Sequence, residues 1–301
     1  MLNVFIINPT AGKKDISLDL SQKILEVDKD AIIHITSEKL DATNFVRNFC
    51  LNNVDKKIKF FACGGDGTLH EVVNGVFGFD NASVGCFPCG SGNDFLKIYK
   101  NRDFTNIKNL INGEEILIDL LAYNGNYCVN VFNIGFDADV AYNMIKFKKK
   151  PFIGGPMAYN AAVVYSLLKK TKHKVKVFID DKEFFKGEIL LCAVSNGICY
   201  GGGYYCTPIA RPDDGILDIC LVKKVSRFTL LKLIKKYKKG QHINNPKFEK
   251  MIYYVKAKKI KFLCENETSF SVDGEVFQTK EIELNIVPQK IKFILPEGNN
   301  A

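Results

Sequence analysis

Three glycine-rich segments contain the residues whose types and spacing are best suited to chemistry. They read Asn-Pro-Thr-Ala-Gly at 8–12, Gly-Gly-Asp-Gly-Thr at 64–68 and Pro-Cys-Gly-Ser-Gly-Asn-Asp at 88–94. Glycine lets backbone N–H groups approach phosphate oxygens closely, and the N-terminus of a following helix favours the same negative charge. One such segment alone is most often a tight turn. Three of them, each directly after a predicted strand, favour a phosphate-binding site.

Carboxylates accompany this predicted phosphate site. Asp66 lies among glycine and threonine neighbours, and Asn93 and Asp94 occupy the equivalent place after the next strand. Each could instead be a turn former or a helix cap, because Asp and Thr are preferred at those positions. Carboxylates beside a phosphate repel it, however, unless a divalent cation lies between them. The pattern therefore predicts a Mg²⁺ site.

Motifs typical of other enzyme classes are absent or incomplete. The sequence has no GxxxxGK[ST] phosphate loop and no complete GxGxxG, and His70-Glu71 is not followed by the second histidine of an HExxH zinc motif. Cys86 and Cys89 have CxxC spacing, but no second pair follows, so structural thiols are favoured over a redox or zinc site. The usual nucleotide-triphosphatase, dinucleotide-binding and zinc-enzyme classes are disfavoured.

An N-terminal α/β domain is predicted to position the three segments. Apolar runs typical of buried strands at 2–7, 31–35, 58–63 and 83–87 alternate with segments whose apolar residues recur at helical spacing. Strands separated by helices of about 10–15 residues form a parallel sheet, and ligands bind outside the carboxyl ends of its strands. All three segments are therefore expected at one edge of one sheet.

The sequence after about residue 115 predicts a different architecture. Short strand runs, the last of them at 269–272, 281–286 and 290–295, are separated by turn signals such as Asn124-Gly125. Helical inserts are expected from about 140 to 170 and from 226 to 239. This half of the chain is therefore expected to be mostly antiparallel β-sheet.

Charge and cysteine content limit the classes of function. Lys and Arg number 42 against 33 Asp and Glu, and a net charge of +9 predicts an anionic partner such as nucleic acid, a membrane surface or a phosphorylated ligand. With 47% hydrophobic and 25% charged residues, disorder, collagen and coiled coil are excluded. Ten cysteines without a dense framework, no signal-peptide pattern and no apolar run of about 18–20 residues predict a reduced, cytosolic protein.

Together these motifs resemble the diacylglycerol kinase catalytic-domain family, which includes bacterial lipid kinases and the sphingosine and ceramide kinases. The resemblance rests on the three segments, extended to Gly-Gly-Asp-Gly-Thr-Leu-His-Glu-Val-Val-Asn-Gly at 64–75 and to Phe at 95. It continues in the expected order through 133–139, 196–197 and 201–203, then Arg-Pro-Asp-Asp-Gly-Ile-Leu-Asp at 211–218 and Asp-Gly-Glu at 273–275. NAD kinases and phosphofructokinases look similar at Gly-Gly-Asp-Gly-Thr alone, and the last two segments separate the lipid kinases from them.

The resemblance implies an ATP-dependent kinase that phosphorylates a lipid hydroxyl, with diacylglycerol converted to phosphatidic acid. It implies a phosphofructokinase-like α/β nucleotide domain at 1–122 and a mostly antiparallel β-sandwich domain for the lipid substrate at 123–286, with ATP in the cleft between them. A C-terminal segment, 287–301, is expected to return to the N-terminal domain. The cofactor would be Mg²⁺, with ATP as the phosphoryl donor.

The resemblance also assigns roles to individual residues. The nucleotide-binding residues would be Asn8, Pro9, Thr10, Ala11, Gly12, Thr36, Gly65, Asp66, Gly67, Thr68, Leu69, His70, Glu71, Ser91 and Asn93. The catalytic Mg²⁺, held partly through water, would take Asp66, Asp94 and Asp119. A structural Mg²⁺, held partly through backbone carbonyls, would take Arg211, Asp214 and Ile216. At His70 the sequence departs from the family, in which asparagine is common at this position. This difference affects only the contact that this one side chain would make.

Glu275 would be the general base on the lipid hydroxyl, with Asp66 as the other catalytic residue. The sequence leaves open which of the two takes the proton. From the residues alone, Glu275 could equally be an exposed turn glutamate. A kinase for another lipid alcohol (sphingoid base, ceramide or phosphatidylglycerol) and a non-catalytic lipid- or nucleotide-binding protein of the same fold remain alternatives.

Four basic runs lie in the second half of the chain, at 146–150, 169–174, 235–239 and 256–261. Most such runs are solvated faces, but an enzyme that takes its substrate from a bilayer needs to dock on it, and basic residues favour an anionic leaflet. We therefore expect a cytoplasmic protein associated peripherally with the inner face of the membrane. Nucleic acid is not expected as a partner, because no recognisable nucleic-acid-binding module is present. The sequence leaves the choice between monomer and homodimer open.

Overall fold

The computed structural model describes residues 1–148, 161–162, 165–166 and 173–298. The chain divides into two compact units. Unit 1 consists of Met1–Leu120, Pro212–Asp214 and Val287–Ala301, and unit 2 consists of Leu121–Arg211 and Gly215–Ile286. The C-terminal segment of the chain therefore belongs to the same unit as the N-terminus.

Unit 1 is built on the parallel strands β1 (Leu2–Ile7), β2 (Ile32–Ile35), β3 (Ile58–Gly64) and β4 (Ala82–Pro88), in the order β2-β1-β3-β4. Every residue of β3 is buried, as is typical of a parallel strand covered on both faces. Ile7 pairs with Ile35 and with Cys63, and Cys63 pairs with Phe87. This register ends the strands level with one another, so the loops that follow them leave from one edge.

Helices connect these strands and cover the sheet of unit 1. They are α1 (Ser17–Val27), α2 (Asp41–Leu51), α3 (Asp66–Val76), a 3₁₀ turn (Phe95–Ile98) and α4 (Ile107–Ile111). The helical spacing of apolar residues predicts a helix over 38–51, but Leu40 has a φ of 67° and α2 begins after it. Helix α3 follows β3 with only Gly65 between them. Its first turn therefore lies at the loop edge of the sheet.

Unit 2 is largely antiparallel, as the turn signals predicted. Its strands are β6 (Asn126–Cys128), β7 (Val131–Gly135), β8 (His173–Ile179), β9 (Lys182–Ser195), β10 (Leu217–Lys223), β11 (Ile252–Ala257) and β12 (Lys259–Val272). They follow the order β11-β10-β9-β7-β12, and β8 pairs with both β9 and β12. The predicted Asn124-Gly125 turn has both residues at positive φ and joins β5 (Glu114–Tyr123) to β6.

Strand β13 (Glu275–Leu295) differs from the sequence-based expectation of separate short strands. It is one continuous strand that pairs with β12 up to Asn285 in unit 2, and its Phe293 pairs with Val84 in unit 1. Gln289, at a φ of 51°, lies just inside the unit 1 part. The gap between the predicted strands at 281–286 and 290–295 is therefore not a loop. It is the part of β13 where the chain changes from unit 2 to unit 1.

Two helices of unit 2 are described, α5 (Phe136–Lys148) and α6 (Arg227–Lys238). Helix α6 confirms the insert expected at 226–239. Helix α5 begins earlier than expected, and most of the remaining insert up to residue 170 lies outside the described residues. The basic run at 146–150 is described only up to residue 148, and the run at 169–174 only from residue 173. Among the helices that are described, none combines the length and the apolar character that a membrane crossing needs.

All ten cysteines are free thiols, and most of them are buried. Burial raises the pKa of the Cys50 and Cys89 thiols to about 11, and it raises the pKa of Cys86 further. At neutral pH these side chains are therefore uncharged thiols rather than reactive thiolates. The Cys86–Cys89 pair has the chemistry of structural thiols.

Close packing of α2 against α3 gives a stability prediction. A Cβ at Gly75 would lie 2.8 Å from Cβ of Val46 and 2.9 Å from the carbonyl oxygen of Thr43. Overpacking of this kind costs about 1–3 kcal/mol, against a gain of about 1 kcal/mol in helix propensity. Gly75→Ala should therefore lower the free energy of unfolding measured in urea.

The matched control is Gly67→Ala in helix α3, where no atom lies within 4 Å of the added Cβ. This variant should be at least as stable as the wild type, because only the propensity gain applies. Equal losses in the two variants would contradict the packing argument.

Candidate active site

The first glycine-rich loop is tied to the start of helix α3. Nδ2 of Asn8 donates a hydrogen bond to Oγ1 of Thr68 at 3.1 Å. The other side-chain atom, Oδ1, accepts hydrogen bonds from the backbone N–H and the hydroxyl of Thr10, at 3.0 and 2.8 Å. Asn8 thus fixes the shape of the 8–12 loop and holds it beside the 64–68 loop.

The three loops also touch through their backbones. Gly12 has a φ of +86°, and a Cβ there would lie 2.5 Å from the carbonyl oxygen of Cys89. A Cβ on Gly90 would lie 2.5 Å from Cα of Gly65. No side chain fits at either position without a shift of the backbone, so close approach requires glycine at both, and the positive φ favours it further at Gly12. The structure brings all three segments together.

Asp66 begins helix α3 and holds the third loop. Its Oδ1 accepts the backbone N–H of Asp94 at 2.7 Å and that of Phe95 at 3.4 Å. These N–H groups open the 3₁₀ turn at Phe95–Ile98, which has no side-chain cap of its own. Asp66 therefore supplies that cap from the neighbouring loop.

The second oxygen of Asp66 faces the same small space as the carboxylate of Asp94. A Cβ on Gly92 would lie 2.8 Å from Oδ2 of Asp66 and 3.4 Å from Oδ2 of Asp94. Asp94 is buried, and its Oδ1 forms an ion pair with Nζ of Lys97 at 2.5 Å. Carboxylate oxygens are the donors that Mg²⁺ prefers, so this pair fits the expected cation.

Asp119, the third carboxylate expected at the catalytic Mg²⁺, has a structural partner of its own. It is fully buried on β5, where its Oδ1 accepts the backbone N–H of Gln289 at 2.8 Å. Within the described part of the chain, no three His, Cys, Asp or Glu side chains are grouped so that they could hold a metal ion. A cation bound by these carboxylates would therefore need water among its ligands, as the sequence-based expectation of ligation partly through water allows.

The start of helix α3 is suited to an anion. Its N-cap, Gly65, has extended backbone and makes no side-chain capping hydrogen bond. Backbone N–H groups at such a terminus attract phosphate. In the third loop, Ser91 is exposed, and Nδ2 of Asn93 donates to the carbonyl oxygen of Gly90 at 2.7 Å.

Four other residues expected to bind nucleotide are either hydrogen-bonded or buried within unit 1. Thr36 donates its backbone N–H to Ile7 at 2.9 Å, next to the first loop. Glu71 accepts the backbone N–H of Leu40 at 3.1 Å. Leu69 and His70 are buried on α3 at 2% and 7% exposure, so little of either side chain is open to a ligand.

Glu275 lies in unit 2, at the first position of β13. It pairs with Val272 across a two-residue turn, Asp273-Gly274, in which both residues have positive φ. Burial, Cys128 and the charges of Asp273 and Glu275 together raise the pKa of the Tyr123 phenol. Glu275, the predicted general base, is half-buried and lies at the end of a tight hairpin turn.

Asp273 has a structural role that the sequence did not reveal. Its carboxylate accepts the backbone N–H groups of Val129 at 2.8 Å and of Asn130 and Val131 at 3.1 Å each. These donors lie more than 140 residues away in the chain. Asp273 therefore fixes the hairpin from which Glu275 projects.

Arg211, Asp214 and Ile216 lie in one turn just before β10. Arg211 is exposed, and the other two are half-buried. The carbonyl oxygen of Pro212 in this turn accepts the backbone N–H of Asp119 at 2.6 Å. The turn is therefore attached to β5 inside unit 1 at that point.

Comparison with known proteins gives the family. The sequence profile of the diacylglycerol kinase catalytic domain matches residues 3–123, and that of the YegS C-terminal NAD kinase beta sandwich-like domain matches residues 130–295. A diacylglycerol kinase from Bacillus subtilis is 30% identical over 277 residues, which cover 90% of this chain and 88% of that protein. This chain belongs to the diacylglycerol kinase family.

Other relatives agree with this membership. A probable YegS-like lipid kinase from Shewanella frigidimarina is 26% identical over 294 residues, covering 95% of this kinase and 92% of the relative. A putative diacylglycerol kinase structure from Bacillus anthracis has a TM-score of 0.73 at 27% identity, covering 98% and 96% of the two chains. An NAD kinase structure from Archaeoglobus fulgidus, at 12% identity with a TM-score of 0.51 over 98% and 94% of the chains, shares the fold.

One further polar residue of the kinase went unrecognised in the sequence. Lys97 pairs with Asp94 three positions earlier, across the 3₁₀ turn. The i, i+3 spacing of opposite charges was a usable signal, because such residues are neighbours on a helical turn. Lys97 reduces the repulsion between the carboxylates of Asp94 and Asp66.

The hydrogen bonds of Asp66 give a prediction for the stability of the kinase. Asp66→Ala removes the cap of the 3₁₀ turn and should cost about 1 kcal/mol of unfolding free energy, whereas Asp66→Asn retains an oxygen acceptor and should cost a few tenths. Urea unfolding of both variants measures the difference. Ser91→Ala, a change at an exposed position of the third loop, is the control and should match the wild type. Identical midpoints for the two Asp66 variants would show that the cap contributes nothing.

Proposed function

We propose that this kinase transfers the γ-phosphate of ATP to the free hydroxyl of diacylglycerol, yielding phosphatidic acid and ADP. The observation that carries the proposal is the joining of three glycine-rich loops around Asp66 and Asp94. That arrangement combines a phosphate cradle with paired carboxylates, as phosphoryl transfer requires. The lipid acceptor follows from the relatives, several of which are named diacylglycerol kinase or lipid kinase.

ATP is the proposed donor because the loops of unit 1 supply the groups that bind phosphates. The N-terminus of α3 presents backbone N–H groups, and the helix dipole favours the same charge. Asn8 holds the loop at 8–12 beside that terminus through its hydrogen bond to Thr68. The NAD kinase that shares the fold was solved in complex with ATP, which supports this choice. Ser91 and Asn93 complete the proposed nucleotide site from the third loop.

Mg²⁺ is the proposed cofactor. Asp66, Asp94 and Asp119 would hold it, partly through water, since one oxygen of each carboxylate already has a protein partner. When bound, Mg²⁺ offsets the charge that develops on the transferring phosphoryl group. A second, structural Mg²⁺ is proposed in the turn before β10, with the carboxylate of Asp214 and the backbone carbonyls of Arg211 and Ile216 as hard oxygen ligands.

Glu275 is the proposed general base. The hydroxyl oxygen of the lipid forms a bond to the γ-phosphorus while the bond from that phosphorus to the β–γ bridging oxygen breaks, and ADP leaves. The hydroxyl proton passes to the Glu275 carboxylate. Asp273 positions this carboxylate by locking the turn before it. Asp66 is the competing base, and the Glu275 variant described below distinguishes the two.

The lipid substrate places the proposed kinase at a membrane. We propose that the protein is cytoplasmic, that it associates peripherally with an anionic leaflet, and that it acts in phospholipid biosynthesis. We assign it no nucleic-acid partner. Of the four basic runs, those at 235–239 and 256–261 lie within the described residues. Each basic residue near an anionic leaflet contributes about 1 kcal/mol.

Labelled ATP, Mg²⁺ and a panel of lipids in mixed micelles test the proposal. Diacylglycerol should be labelled in preference to sphingoid base, ceramide and phosphatidylglycerol, and EDTA should abolish labelling. Asp66→Asn should reduce kcat at least about 10²-fold, because it removes charge from the phosphoryl site without removing the cap. Labelling of another lipid alcohol would reassign the acceptor, and a fully active Asp66→Asn variant would refute the metal site.

Glu275→Gln tests the general base. The amide keeps the size of the side chain but cannot take up the hydroxyl proton, and loss of a general base typically lowers kcat about 10²–10⁴-fold. ATP affinity should be nearly unchanged, because the nucleotide loops belong to unit 1. The melting temperature should also be retained, because the turn is locked by Asp273.

Glu267→Gln is the matched control, since Glu267 is an exposed glutamate of the preceding strand, β12. It should leave all three quantities unchanged. If kcat of Glu275→Gln stays within a few-fold of the wild type, Asp66 becomes the base.

A further inference from the structure

Helix α6 exposes two large apolar side chains to solvent. Phe228 is 80% exposed and Leu231 is 56% exposed. With Lys232 and Lys235 they are spaced three and four residues apart, so all four lie on one side of the helix. These lysines are exposed as well. The outer face of α6 is therefore an apolar pair bordered by positive charge.

The opposite face of α6 attaches the helix to unit 2. Leu230, Leu233 and Tyr237 are buried, and the last two join a core cluster with Val222 and Ile252. At the N-terminus, Oγ of Ser226 accepts the backbone N–H of Thr229 at 3.2 Å. The helix is thus held firmly without its outer face, and Phe228 and Leu231 contribute little to the fold.

The charge of α6 has one sign. From Ser226 to Gly240 the sequence contains no acidic residue, and its basic residues are Arg227, Lys232, Lys235, Lys236, Lys238 and Lys239. Among the described residues, no ion pair involves Lys232, Lys235 or Lys239. The positive charge of these lysines is therefore not neutralised by an ion pair within the described part of the chain.

We infer that the outer face of α6 docks on an anionic lipid bilayer, with Phe228 and Leu231 inserted at the level of the headgroups. Interfacial helices have this composition, with bulky apolar residues on the inserted side and lysines beside them. A second copy of the chain fits the face poorly, because like-charged lysines would meet across the contact. The choice of partner rests on the proposed lipid kinase function, which requires access to a bilayer.

This mode differs from attraction through basic runs alone. Lysines attract the leaflet over a distance and are screened by salt, with a Debye length of about 10 Å at 0.1 M and about 3 Å at 1 M. Inserted apolar side chains act by burial, which salt does not screen. The affinity for vesicles therefore has a salt-dependent part from the lysines and a salt-independent part from Phe228 and Leu231.

Vesicle flotation separates the two parts. We compare phosphatidylcholine vesicles with and without about 30% phosphatidylglycerol. Phe228→Ser/Leu231→Ser should weaken binding to the anionic vesicles about tenfold or more while the dependence on salt keeps its slope. Lys232→Gln/Lys235→Gln should weaken it about fivefold per lysine and flatten the slope. Melting temperatures should match the wild type.

The controls are the same changes on an exposed part of unit 1. Leu51 and Val54 are 57% and 61% exposed, and Lys56 and Lys57 are exposed nearby. Leu51→Ser/Val54→Ser and Lys56→Gln/Lys57→Gln should bind vesicles like the wild type. If the control and α6 variants lose binding equally, only net charge and general hydrophobicity matter, and the docking face is refuted.

Kinase activity distinguishes failure of docking from failure of the proposed function. With diacylglycerol in vesicles and with a short-chain diacylglycerol in free solution, the ratio of the two activities should fall in the α6 variants. If the wild type binds vesicles through α6 but phosphorylates no lipid, the docking proposal is supported and the proposed function is refuted. An active wild type whose α6 variants bind vesicles normally would refute docking. So would a wild-type dimer that Phe228→Ser/Leu231→Ser dissociates while vesicle binding persists.

Discussion

Contact between loop backbones at the edge of the unit 1 sheet is the constraint on which the candidate site depends. Gly12 lies against the carbonyl of Cys89, and Gly90 lies against Cα of Gly65, with room for no Cβ at either. Only this approach lets Asp66 reach the backbone N–H of Asp94. The same packing that builds a phosphate cradle therefore also sets the spacing of the carboxylates.

In both units, a carboxylate fixes the position of the candidate site residues by accepting backbone N–H groups from a distant segment. Asp66 caps the turn after β4, and Asp273 holds the segment before β7. Charge-assisted hydrogen bonds of this type are stronger than neutral ones. Asp66 belongs to the proposed metal site, and Asp273 is two residues from the proposed base Glu275. Both carboxylates therefore serve the fold and the proposed reaction. Helix α6 differs, because one of its faces packs on the core of unit 2 and its other face is the one proposed to dock on a bilayer.

Local patterns explain how much of the fold was predictable. The predicted strands at 2–7, 58–63 and 83–87 lie within one residue of β1, β3 and β4 at each end, because buried strands leave continuous apolar runs. Asn124-Gly125 forms its predicted turn because both positions need positive φ. The start of α2 and the continuity of β13 were missed, since Leu40 in a left-handed conformation and a strand running through Pro288 and Gln289 are set by surrounding structure.

The sequence by itself determined the family, the three loops and the candidate residues Asp66, Asp94 and Glu275, because these depend on residue type and local spacing. Tertiary structure decided which partners those residues have. Asp119 binds Gln289 across 170 positions, and Asp273 binds backbone groups more than 140 positions away. It also decided that Phe228 and Leu231 lie outside the core, on the face of α6 opposite Leu233. Periodicity alone could not give this result, since apolar residues occur on both sides of that helix, and only packing against the rest of unit 2 selects the side that is buried.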